Sequence, residues 1–108
     1  MTLEYIEGLP SGVALCLGHF PVAGRRERRS SEEAAVSTIL CDLFGCATPP
    51  QREHDATGRP FLPSAPEQSV SISHAEGHAA VLLTPSTLRP GVDIETYRPQ
   101  LRAVASRY

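Results

Sequence analysis

Lysine and tryptophan are absent from this chain of 108 residues, and all ten basic residues are arginine. Four of them, Arg25, Arg26, Arg28 and Arg29, crowd into one short stretch. A strong charge of either sign is lacking too. The net charge of -2 gives no long-range field of the kind that gathers nucleic acid or an anionic membrane. Cysteine is sparse and odd in number. Cys16, Cys41 and Cys46 lie in or beside apolar stretches, where a thiol acts as a small hydrophobe, which speaks against a disulfide scaffold and for a reducing compartment. No basic segment followed by an apolar one opens the sequence, so no secretory signal is visible. No apolar run approaches the roughly 20 residues that span a bilayer. The expectation is a soluble, cytoplasmic protein without nucleic-acid or membrane partners.

What is there reads as one small domain over residues 1–108, of a size that buries about 60–65% of its unfolded surface. Val13–Phe20 is short, apolar and bounded by Pro10-Ser11-Gly12 and Pro21, which predicts a strand. The Arg-rich stretch reads as a solvated loop ahead of a helix. Ser30 with Glu33 fits a capping box, and Glu32 and Glu33 suit the positive end of the helix dipole. Ala35, Val36, Ile39, Leu40, Leu43 and Phe44 then recur at helical spacing, with Gly45 as the stop. Ala47–Ala56, with Pro49-Pro50, reads as a loop or irregular edge. Three strands follow, Ser69–His74, His78–Thr84 and Gly91–Glu95, the first two joined by a turn at Glu76-Gly77. From Pro99 to Tyr108 the spacing of Leu101, Val104 and Ala105 suggests the opening of a second helix. The architecture expected is α+β, an antiparallel sheet packed on one long helix.

Asp93 and Glu95 are the sharpest chemical feature. Strand positions i and i+2 share a face, so these two carboxylates stand side by side, and two hard oxygen donors so placed suit Mg2+. The same spacing also describes two solvated acids at a strand end. Ser71 and Ser73 share a strand face, with His74 at its end, and a hydroxyl and an imidazole there can hold phosphate oxygens or simply line a polar hairpin. His74 and His78 have a metal-like spacing, but zinc needs two further ligands and no Cys lies nearby. Ser73, His74 and Asp93 do not make a hydrolase triad, because no nucleophile elbow is present and adjacent strand residues face opposite ways. Arginine forks at 25–29 suit phosphate, and Arg59 sits in a stiff turn between Gly58 and Pro60. An Arg-rich nucleic-acid binder is the rival function that this stretch alone would suggest.

The order of these motifs is more specific than any one of them. Gly58-Arg59-Pro60, then Ser71-Ile72-Ser73-His74, then an Ala-Ala-Val-Leu-Leu strand, then Gly91-Val92-Asp93-Ile94-Glu95 resembles the 4'-phosphopantetheinyl transferase superfamily of the surfactin-synthetase-activating type. Its single chains contain two similar halves. The resemblance is strong over Gly58–Glu95 and implies transfer of the phosphopantetheine arm of coenzyme A to a serine of an apo acyl or peptidyl carrier protein. It implies that Asp93 and Glu95 bind Mg2+ and that Ser73 and His74 contact coenzyme A phosphates. Arg59 would lie at the nucleotide, and Arg28 and Arg29 near the 3'-phosphate. Two departures stand out. A helix position that often holds Arg in the family is Ser37 here, and the Trp-x-x-Lys-Glu-x-x-x-Lys helix, source of a further metal ligand and the base, has no counterpart. The expectation is therefore an amino-terminal half with the carboxy-terminal half missing, inactive alone. The alternative is a non-catalytic fragment that binds coenzyme A or carrier protein and self-associates, as a homodimer, through the face left by the missing half.

Overall fold

The computed structural model describes residues 1–21, 24–95 and 100–107, with the side chains of 25, 26, 93–95 and 100–107 outside that description. Four antiparallel strands make the main sheet. The first, β1 (Thr2–Tyr5), pairs with β2 (Ala14–His19); the chain then enters α1 (Arg25–Phe44) and a short ladder of β3 (Glu53–His54) with β4 (Pro60–Phe61). A hairpin of β5 (Gln68–Ala75) and β6 (His78–Pro85) returns to the sheet, giving the order β1-β2-β6-β5. A separate hairpin joins β7 (Leu88–Glu95) to β8 (Gln100–Arg107). The expected α+β class, an antiparallel sheet with one helix, is what forms.

β6 reads as a near-continuous apolar run because both of its faces are covered. Ala79, Val81 and Leu83 face α1, where Ala35, Val36, Ile39 and Leu40 recur at helical spacing and join Cys16, Val70 and Leu62 in one core. Ile39 and Leu40 are fully buried, each contributing about 1.5–3 kcal/mol by leaving water. The alternate residues Ala80 and Leu82 meet Leu15 and Ala75 on the other face. Val92 of β7 and Ile6, Leu9, Val13 and Leu17 cover that second cluster. The sheet is thus sandwiched between a helix and a hairpin.

Two expectations are corrected. The helix begins at Arg25, five residues before Ser30, so the arginines form its first turns and not a loop. Gly24 is the N-cap, its carbonyl accepting from the Glu27 and Arg28 amides at 3.0 Å, and no side chain caps the helix. Ser30 and Glu33 lie inside α1, where the backbone amides a capping box would satisfy already have helical partners. Arginine propagates a helix well, which explains the extension. The second correction concerns 100–107, expected as a helix and found as a strand: Leu101 pairs with Ile94 and Ala103 with Val92. Three apolar residues without a cap make too short a helix to stand alone, whereas pairing along β7 satisfies the backbone over eight residues. The strands expected at 13–20, 69–74, 78–84 and 91–95 all form, and β1 was not foreseen. Among the described residues no helix is long and apolar enough to cross a membrane.

Candidate functional site

The alternation of β5 sorts its polar residues onto two faces. Ser71 and Ser73 lie opposite Leu82 and Ala80, on the side covered by β7, while His74 lies opposite Ala79 on the helix side. The Ser71 hydroxyl accepts a hydrogen bond from the Val92 amide at 3.1 Å. His74 instead reaches α1. Its Nδ1 is 3.4 Å from Glu32 Oε2, and Glu32 Oε1 is 3.5 Å from Arg28 Nε one turn earlier on the helix. Arg28, Glu32 and His74 therefore form a line of guanidinium, carboxylate and imidazole at the rim of the sheet. The Glu32 side chain is 17% exposed, and those of Arg28 and His74 are 53% and 35% exposed, so the carboxylate sits beneath two accessible cationic or protonatable groups. That arrangement can hold an oxyanion from above while the carboxylate fixes the imidazole ring. Arg29, one position on and three residues before Glu32, is exposed.

Arg59 occupies a different place. An Asx turn builds its loop: Asp55 Oδ1 accepts from the Thr57 amide at 2.9 Å, the Thr57 hydroxyl at 2.6 Å and the Arg59 amide at 3.0 Å. Gly58, at φ 85°, supplies the left-handed residue that the turn requires. The Asp55 carboxyl is held below its ordinary value, first by the Thr57 hydroxyl and then by the Arg59 amide. The Arg59 guanidinium Nη2 donates to the Pro90 carbonyl at 2.8 Å. It lies with Ser69, Val70 and Pro90 around a cleft of about 100 Å3. Ser73 lies four residue steps along the strand from Ser69, about 13 Å, so Arg59 stands at the opposite end of β5 from His74.

These two hydrogen bonds also set the direction of β7. Pro90 is fixed beside the start of β5 and Val92 beside Ser71, so the strand runs with β5 and carries the backbone of Asp93–Glu95 toward the Ser73 and His74 end. The carboxylates of Asp93 and Glu95 lie outside the described residues. Their backbone positions pair with Arg102 and Gln100 and alternate as a strand requires, placing 93 and 95 on one face. A pair of carboxylates is the donor set a hard cation takes. Among the described residues no group of three or more His, Cys, Asp or Glu side chains is placed to hold a metal. The spacing of His74 and His78 does not assemble one, because His78 lies on the other face in edge contact with His19, ring centroids 4.8 Å apart. Comparison with family models, curated proteins and solved structures finds no match to this chain.

Sequence reasoning missed two contributors. Glu32 was assigned to the helix dipole, yet it is the bridge between Arg28 and His74; its i, i+4 spacing from Arg28 was the available signal. Arg52 pairs with Glu33 and fastens the Pro49-Pro50 loop to α1, a contact with no local signature.

Proposed function

We propose that this chain supplies part of the active site of a Mg2+-dependent 4'-phosphopantetheinyl transferase, acting on coenzyme A and an apo acyl or peptidyl carrier protein. One observation carries the reading. Three motifs that stand far apart in sequence, Gly58-Arg59-Pro60, Ser71–His74 and Gly91–Glu95, are joined through β7 by the Arg59–Pro90 and Ser71–Val92 hydrogen bonds. Motifs chosen only to build a sheet need no such mutual attachment.

In this reading the carboxylates of Asp93 and Glu95 would hold Mg2+, which would neutralise charge gathering on the 5'-phosphate of the departing 3',5'-ADP. Arg28 and His74 stabilise anionic oxygens of coenzyme A from the helix side, with Glu32 orienting the imidazole. Arg29 adds positive potential at the same helix end, and Ser73 offers a hydroxyl on the β7 side. Ser71 and Arg59 act by fixing the backbone on which the carboxylates stand. The serine hydroxyl of the carrier protein attacks the phosphorus bearing the pantetheine arm, its proton passes to a base, and the bond to 3',5'-ADP breaks. A lysine base is not available in a sequence without lysine. The chain is therefore expected to bind coenzyme A with Mg2+ and to transfer little or nothing unaided, which is also what the reading as a non-catalytic binding fragment predicts.

Calorimetry with coenzyme A and Mg2+ tests the proposal, followed by incubation with an apo carrier protein. Binding that needs Mg2+ and is lost in the Asp93→Asn, Glu95→Gln double variant supports it. No heat at millimolar coenzyme A overturns it, and brisk single-chain transfer overturns the claim that a base is lacking.

A further inference from the structure

We propose that Cys41 and Cys46 form a reversible intramolecular disulfide that staples the carboxy-terminal end of α1. The two cysteines occupy fixed places in a Schellman cap. Gly45, at φ 64°, is the left-handed residue; its amide donates to the Asp42 carbonyl at 3.3 Å, and the Cys46 amide donates to the Cys41 carbonyl at 3.0 Å. This second bond is the one that brings the first and last residues of the motif together, and side chains at these two positions commonly touch.

Distance follows from that hydrogen bond. The path from the Cys41 Cα through its carbonyl oxygen to the Cys46 amide and Cα cannot exceed about 6.9 Å even when straight. Any bend brings the pair inside the Cα separation of about 4.4–6.8 Å at which disulfides form. The Cys41 thiol already points the right way: its sulfur lies 3.8 Å from the carbonyl of Ala47, the residue after Cys46. Both cysteines line one open cleft of about 380 Å3 with Leu3, Thr38, Asp42 and Gly45. Cys46 is exposed and Cys41 half-buried, and both are free thiols. Cys16, the third thiol, is fully buried in the sheet core, where desolvation pushes it up to about 11. The chemistry is therefore confined to one pair.

The oxidant required is a low-molecular-weight disulfide. The Cys46 thiolate attacks one of its sulfurs, the sulfur–sulfur bond breaks, and one small thiolate leaves and takes up the proton that Cys46 lost. Cys41 then attacks the Cys46 sulfur of the mixed disulfide and expels the second small thiol. Two protein thiols lose two hydrogens, and the small disulfide is reduced to two thiols.

The test uses the full chain and oxidised glutathione. Trypsin places Cys41 and Cys46 in one peptide, Ser30–Arg52, and Cys16 in another ending at Arg25. The expected result is an intact mass lower by two hydrogens, with the loss confined to Ser30–Arg52 and reversed by dithiothreitol. Cys46→Ser, at an exposed position, should take at most a single glutathione on Cys41 and never lose two hydrogens. Gly45→Ala, which strains the cap, should slow closure several-fold while Cys46 still forms its adduct. Glutathione stably attached to both cysteines of the unaltered chain overturns the proposal. So do disulfide-linked dimers, or thiols that stay reduced while the unfolded chain oxidises.

Discussion

Asp55 shows how much a single exposed side chain can organise, since one of its oxygens gathers three donors and shapes the turn from which Arg59 extends. Its carboxyl is held below its ordinary 3.8 in the folded chain. A depressed folded value means that this group stabilises the fold above the unfolded value and that the contribution is lost as pH falls through the folded one. Thermal melts should therefore place Asp55→Asn, neutral at every pH, below the parent at pH 7, with the parent losing more melting temperature below about pH 4 until the two converge. The amide keeps its acceptor at every pH, so parallel losses in both proteins would rule the carboxylate out. Asp55→Ala should melt lower throughout. At Ser71 the expectation has a size. Ser71→Ala leaves the Val92 amide without its acceptor on a half-buried strand and should cost about 1–3 kcal/mol in urea unfolding, whereas Ser71→Thr keeps the hydroxyl and should cost less.

At the scale of elements, α1 is anchored at one end and open at the other. Its core face depends on Ile39, which is fully buried, and Ile39→Ala should cost about 2–5 kcal/mol in the same measurement. Its amino-terminal end has only Gly24, whose extended φ of -61° and ψ of 165° suit any residue and beside which an added Cβ meets nothing within 4 Å. Gly24→Asp should therefore supply the missing cap and oppose the helix dipole, stabilising by about 0.5–1 kcal/mol and raising the melting temperature by a few degrees. No change would mean that water already satisfies the free amides at this end. The same helix marks the border of what its sequence makes legible. The apolar spacing from Ala35 to Phe44 and the stop at Gly45 are local signals, read directly. The start is not, because Ser30 and Glu33 imitate a cap while the decisive residue, Gly24, has no side chain to announce it. Strands β5 and β6 are legible from their bounding turns. The assignment of 100–107 fails because the choice between a short helix and a strand rests on a distant partner, Gly91–Glu95, and not on the segment itself. The site divides in the same way. Ser71, Ser73 and His74 are found by strand alternation, whereas the Glu32 bridge and the Arg59–Pro90 bond join residues far apart in sequence.

The molecule as a whole is a sheet with two unequal covers, and the thinner one carries the candidate carboxylates. On the helix side four fully or nearly buried α1 residues interlock with three strands. On the other side a smaller cluster of Leu15, Ala75, Ala80 and Leu82 is roofed in part by Val92. The hairpin is also held by the Arg59 and Ser71 hydrogen bonds, so its attachment is local and separable from the main core. Val92→Asp sets a charge against the apolar cluster of Leu15, Ala75, Ala80 and Leu82, at a cost of about 2 kcal/mol or more. Because that loss falls on one layer, the expectation is partial opening and not global unfolding. Hydrogen exchange should show the β7 amides losing protection while those of β6 and α1 keep theirs. Binding of a hydrophobic dye should rise as Leu15 and Leu82 become accessible. If instead β6 and α1 exchange as fast as β7, the two faces unfold as one unit. On the reading proposed above, the same variant should lose Mg2+-dependent coenzyme A binding even though it alters neither carboxylate, because Asp93 and Glu95 depend for their position on a strand that Val92 holds down.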